Sequence, residues 1–243
     1  MNFSDDLLTA IGAWQNGWRE NQSLRIQLAN NLLAVTGALP ERFRTVEDPC
    51  YRKRFLHKGE LSDLILNDER NEGMVSWTTK REFAERFKGL TKPGAVSGAI
   101  FRHNPLTIEV VVNIAALWAC PEFVAAAESY RQRDGASAKA LFNFADSQGE
   151  VVLETPLRAS EIVALTGASS PFDDLCDQAG IEEADRDHLF RDLVAQGGCP
   201  GEYRYISEEA AQRAIAATIR KMYVRISELK KVSSTTAEAP ASG

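Results

Sequence analysis

Paired cysteines and clustered histidines are both missing from this chain. The four cysteines fall at positions 50, 120, 176 and 199, and the histidines at 57, 103 and 188. A disulfide framework or a structural zinc site needs such residues at short, repeated spacings. Reduced thiols, no metal centre and a cytoplasmic protein are therefore expected. No apolar run approaches the roughly 20 residues that a membrane-spanning helix requires, so no membrane partner is expected. The opening residues, Met1 to Asp6, carry no basic region leading into an apolar run, the pattern of a signal peptide. An excess of positive charge is also lacking. The formal net charge is −6, which argues against a general nucleic-acid coat. Internal repeats are absent.

What is present suffices for a substantial core. Of 243 residues, 44% are hydrophobic, which suits one large domain or a domain with a helical extension. Charge is unevenly spread. Residues 42–102 hold 13 Lys/Arg against 9 Asp/Glu, whereas residues 104–167 hold 4 against 8. The basic segment is where an anionic ligand would be favoured.

Periodicity predicts an α+β fold. Residues 3–36 read as two helices, the first capped by Ser4 and carrying Leu7, Ile11, Trp14 and Trp18, the second capped by Ser23. Strands are predicted over 51–56, 95–102, 107–113 and 148–153, with 160–165 pairing with the last of these. Residues 73–79 read as turn, strand and helix start. Thr79 to Glu82 has the form of a capping box. Pro121 suits the first turn of a helix to about 133; residues 136–142 are ambiguous and 144–147 read as a loop. Helices are predicted over 173–179, 181–196 and onward from Ser207. The last has Ala211, Ile215, Met222, Ile226 and Leu229 as a buried stripe.

Three stretches carry candidate chemistry. In the strand at 51–56, Arg52 and Arg54 share one face and Tyr51 and Lys53 the other. Two arginines on one face are either solvated or poised for a pyrophosphate, because a guanidinium is a planar fork of donors. Ser76 and Thr78 alternate on one face of the next strand. Glu150 opens a β-branched run two residues after Gln148.

The ordered set Tyr51-Arg52, Ser76-Trp77-Thr78-Thr79 and Gln148-Gly149-Glu150 resembles the R-S-E mono-ADP-ribosyltransferases, over about residues 40–167. The resemblance implies a split mixed or antiparallel β-sheet core that binds NAD. It implies N-terminal helices over 1–40, the catalytic core over 41–167, a helical extension over 168–231 and a disordered tail over 232–243. Arg52, or else Arg54, would grip the pyrophosphate. Ser76 and Thr78 would order the site. Glu150 would stabilise positive charge on the ribose as nicotinamide leaves. Tyr51, Trp77 or Phe144 would either stack on nicotinamide or belong to the core. Gln148, in place of a second glutamate, implies a non-arginine acceptor on protein, RNA or DNA. The family includes intracellular toxins of bacterial or phage origin, and the extension is a candidate surface for an inhibitory or antitoxin partner. An NAD glycohydrolase on the same scaffold, and a non-catalytic interaction module, are the alternatives.

Overall fold

The computed structural model describes residues 3–17, 21–57, 59–90, 92–93, 95–166, 176–196 and 205–237. The elements are α1 (Asp5–Asn16), α2 (Gln22–Thr36), β1 (Cys50–His57), α3 (Glu60–Asn67), β2 (Met74–Thr78), α4 (Arg81–Arg86) and β3 (Ala95–His103). There follow β4 (Val110–Asn113), α5 (Ile114–Trp118), α6 (Pro121–Arg133), α7 (Gly135–Phe144), β5 (Glu150–Glu154), β6 (Ile162–Leu165), α8 (Glu183–Ala195) and α9 (Glu208–Ala237). The strands form one six-stranded antiparallel sheet in the order β4-β5-β2-β1-β3-β6. The fold is thus α+β, as the periodicity implied. Among the described residues no helix is long and apolar enough to cross a membrane.

The chain makes two compact units from interleaved segments. The first comprises residues 1–53, 71–87 and 102–156; the second comprises 54–70, 88–101 and 157–243. These divisions differ from the linear boundaries at 40 and 167.

In the first unit the N-terminal helices are part of the core. The Ser4 side chain accepts from the Leu7 N–H at 3.3 Å, and Asp5 and Asp6 follow in the first turn. That start suits the positive end of the helix dipole. It sets Leu7, Leu8, Ile11 and Trp14 on one face, buried with Leu28 and Leu32 of α2, Phe123 of α6, Leu141 of α7 and Val152 of β5. Phe3 meets Phe43 and Phe123 edge-on. Each such aliphatic side chain, once buried, contributes about 1.5–3 kcal/mol.

Several expected boundaries move, for local reasons. Asn21 rather than Ser23 caps α2, accepting from the Leu24 N–H at 3.0 Å. Residues 107–109 form a 3-10 turn before β4. Asp134 ends α6 and caps α7 through the Ser137 N–H, so the ambiguous 136–142 segment is helical and Phe144 is its last residue. No capping box forms at 79–82, because α4 begins after Lys80 without a side-chain cap. Trp18, the 173–175 part of the predicted 173–179 helix, and Cys199 lie outside the described residues.

In the second unit β6 pairs with β3, Ala99 opposite Leu165 and Ile100 opposite Ala164, and not with β5 as expected. The edges of β5 are already taken by β2 and β4. Glu60 accepts from the His57 N–H at 2.6 Å and meets Arg70 at 2.8 Å and Arg54 at 3.9 Å. Helix α9 starts at the Ser207 cap and buries Ala211 and Ile215. Gln212 donates to the Ile162 carbonyl of β6 at 2.8 Å. The expected buried stripe does not continue: Ile226 and Leu229 are exposed. The helix extends through residues 232–237, which were expected to be disordered.

Ile11 is completely buried in the α1 face. Ile11→Ala should therefore destabilise the protein by about 2–5 kcal/mol, as core truncations that leave a cavity do. Urea unfolding followed by circular dichroism checks this. A loss below about 1 kcal/mol would show that α1 is not integral to the core.

Candidate active site

The sheet register brings two of the three motifs together. In the antiparallel β2–β5 pair, Thr78 lies opposite Glu150 and Ser76 opposite Val152. Ser76 is therefore the diagonal neighbour of Glu150, within reach across adjacent strands. Its hydroxyl donates to Glu150 Oε1 at 2.6 Å. The same hydroxyl accepts from the Trp14 indole N–H at 3.0 Å. Gln15 Nε2 donates to Glu150 Oε2 at 2.8 Å. Both carboxylate oxygens are thus engaged, one from the sheet and one from α1.

Arg52 joins the same group from β1. Its Nη1 donates to the Ser76 carbonyl at 2.8 Å, while Nε and Nη2 donate to Glu72 Oε2 at 3.3 and 3.0 Å. The guanidinium spans the backbone of β2 and a carboxylate, as its fork geometry permits. Arg52 is thereby part of a partly buried ion pair. Arg54 belongs to the second unit, against Glu60. Of the two arginines, Arg52 is the one bonded to the Ser76 backbone.

Thr78 has a different task from Ser76. Its hydroxyl donates to the Gln148 carbonyl and accepts from the Lys80 N–H at 2.9 Å. Thr79 N–H donates to the Gly149 carbonyl at 2.9 Å. These bonds fix the turn that delivers the chain into β5. Gly149 adopts φ +57°, and a Cβ there would stand 2.7 Å from Thr79 Oγ1. Only glycine fits this left-handed position beside another side chain.

The same turn corrects an expectation about Gln148. It precedes β5 and is separated from Glu150 by a left-handed residue. The two-residue alternation that would put both side chains on one face does not extend to it. Trp77 is buried, with its ring 5.7 Å from that of His103. It lies on the strand face opposite Ser76 and belongs to the core, so it is no stacking platform for this site. Tyr51 sits opposite Thr78, half-buried. Phe144 ends α7 half-buried, where its carbonyl accepts from the Ser147 N–H at 3.0 Å.

Sequence reasoning missed Gln15 and Glu72, and placed Trp14 in the apolar stripe of the first helix without a bonding role. Trp14 is buried in the core, but its indole N–H also serves Ser76. Gln15 lies 135 residues from Glu150. The sequence carries no local signal for such a bond. A polar residue next to a helix's apolar stripe is the sole hint.

Burial dominates the electrostatics. Glu150 is only 4% exposed. Removal from water pushes its carboxyl pKa up, with hydrogen bonds from Ser76, Gln15 and Trp14 partly offsetting the rise. Cys50 is fully buried, and burial, with Asp48 nearby, pushes its thiol up to about 12. It is therefore a neutral core residue rather than a nucleophile. Among the described residues no cluster of His, Cys, Asp or Glu could hold a metal ion. Family models, characterised proteins and solved structures give no match to this chain.

The raised Glu150 pKa predicts a pH signature. A carboxyl whose pKa rises on folding is bound more tightly by its proton in the native state. Its stabilising contribution is full below the unfolded-state value, about 4.3, and is lost as pH rises through the folded value. Glu150→Gln keeps the shape and removes this titration. Gln15 Oε1 is buried without a partner among the described residues, so a flipped Gln15 amide can receive the new N–H. The stability of Glu150→Gln relative to wild type should grow between about pH 4 and pH 8. Urea midpoints at both pH values measure it; a pH-independent difference contradicts the raised pKa.

Proposed function

We propose that the first unit cleaves NAD at the nicotinamide–ribose bond and transfers ADP-ribose to an acceptor. The single observation that supports this most is the hydrogen-bonded chain from Arg52 through Ser76 to Glu150. An arginine, a serine and a glutamate from three strands meet in the order that the motif resemblance requires. Each side chain then has a chemical task. As the C–N bond breaks, nicotinamide departs with the bonding electrons and positive charge develops on the ribose. A fixed carboxylate stabilises such an oxocarbenium-like state, as glycosidase carboxylates do. Ser76 aims Glu150. Arg52 binds an anionic pyrophosphate by exchanging Glu72 for a phosphate oxygen. An acceptor nucleophile attacks the ribose carbon and loses its proton; water in that role gives NAD hydrolysis.

This function requires α1 to yield. Gln15 occupies Glu150 Oε2 and Trp14 occupies Ser76, so a ribose hydroxyl reaches the carboxylate by displacing the Gln15 amide. Gln148 stays the candidate for reading a neutral acceptor, held from the turn by Thr78 rather than by the strand. The burial of Glu150 favours a second reading: a polar tie between α1 and the sheet, in a protein with no catalysis. The two differ in what Glu150→Gln does.

Under the transferase reading, Glu150→Gln lowers nicotinamide release from NAD by on the order of a hundredfold or more, with NAD affinity little changed. Product chromatography on wild type and variant measures this. Undetectable release by both, in the presence of protein, RNA and DNA pools, supports the structural tie instead.

Arg52→Ala should weaken NAD binding by about 1.5–3 kcal/mol, the size of a charge-assisted hydrogen bond. Arg54→Ala should change it little, since it is Arg52 that joins the hydrogen-bonded chain to Ser76 and Glu150. Calorimetric titration of the two variants, each first checked for native unfolding, decides the matter. A larger loss for Arg54→Ala overturns the assignment of Arg52.

A further inference from the structure

The C-terminal half of α9 offers an exposed seam with the pattern of a two-stranded coiled coil. Ile215, Ile219, Met222, Ile226 and Leu229 are separated by four, three, four and three residues, the heptad alternation of a and d positions. Ile215 is buried, on the half of the helix that packs against β6 and α3. The same stripe then runs on into solvent: Ile219 is 48% exposed, Ile226 57% and Leu229 53%, with Tyr223 beside them at 72%. Such a run of large apolar side chains on one helix edge marks an interaction surface.

The residue types specify the partner. Taking Ile219 and Ile226 as a and Met222 and Leu229 as d, β-branched residues stand at a and residues without a branch at Cβ stand at d, the combination that favours two strands. Residues 217–231 carry five cations, Arg220, Lys221, Arg225, Lys230 and Lys231, against one anion, Glu228. The charges on the seam's flanks are Arg225 at g and Lys230 at e. Glu228 lies at c, off the seam, 3.3 Å from Arg225. Lys221, also at c, faces Glu183 of α8 at 3.5 Å, so the side of α9 turned to α8 is not the seam. Within residues 219–230 a second copy offers no carboxylate at e or g, and in parallel register it would set Arg225 against Lys230. A membrane surface favours a broad apolar arc, whereas this seam is flanked by Arg225 and Lys230.

We propose that residues 219–230 of α9 dock a separate protein through an acidic amphipathic helix, with apolar residues at its a and d positions and Glu or Asp at e and g. The site is independent of the NAD chemistry of the first unit.

A synthetic helix of about four heptads, with Ile at a, Leu at d and Glu at e and g, is the probe. The full-length protein is titrated into the labelled peptide and fluorescence anisotropy is read. Saturable binding is expected at micromolar concentrations, weakening by about fivefold or more as salt rises from about 50 to 300 mM. Ile226→Asp and, separately, Arg225→Glu should each weaken it by about tenfold or more, which is about 1.4 kcal/mol. Both positions are exposed, so the unfolding midpoint should stay within a few degrees of wild type; if one variant unfolds, the other carries the test. The proposal is overturned by absence of saturable binding at about 100 µM protein, where a Kd of 100 µM corresponds to about −5.5 kcal/mol. It is equally overturned by equal binding of a Lys-for-Glu version of the peptide. Self-association of the chain that Ile226→Asp abolishes would assign the seam to a second copy, and tighter binding to phosphatidylserine vesicles would assign it to a membrane.

Discussion

A carboxylate removed from water must be met by donors, and Glu150 makes that requirement the joint of the first unit. Its carboxylate takes a hydroxyl from β2 and an amide from α1, and the Trp14 indole supports the hydroxyl in turn. Removing one partner from a buried charged group costs far more than an exposed bond of the same length. The position of α1, the register of β2 on β5 and the left-handed turn at Gly149 therefore constrain one another. The apolar face of α1 buries Leu7, Leu8, Ile11 and Trp14, and the polar contacts at its end fix its placement.

That arrangement sets a tension between stability and chemistry. The groups that satisfy Glu150 are the ones a substrate hydroxyl would replace, and the partner that neutralises Arg52 is the one a phosphate would replace. Under the proposed function the site is stable when closed and becomes competent only when Gln15 and Glu72 exchange their partners. Burial that raises the Glu150 pKa works against the ionised form, while each donor directed at it restores that form. The same donors thus serve the fold and the proposed reaction.

The second unit follows other rules. Glu60 gathers Arg54 and Arg70, so the two arginines that strand alternation put on one face meet different carboxylates, Arg52 meeting Glu72. Helix α9 is tied down by Ala211, Ile215 and Gln212, after which its apolar edge continues without cover among the described residues. The one-sign charge beside that edge disfavours self-pairing in parallel register.

Local chemistry alone determined a good deal. The helices at both ends, their caps at Ser4 and Ser207, the first-turn Pro121 and most strands follow from periodicity and turn residues, because these depend on neighbours within a few positions. The triplet of Arg52, Ser76 and Glu150 was likewise legible as an ordered pattern. Tertiary structure decided everything that depends on distant partners. Strand pairing put β6 beside β3 rather than β5, since the edges of β5 were already occupied. A positive φ at Gly149 took Gln148 out of the strand, and burial sent Trp77 to the core. Gln15 became a partner of Glu150 through a contact that spans most of the first unit's sequence. No local pattern encodes such a contact, because it exists only once two elements far apart in the chain have packed together.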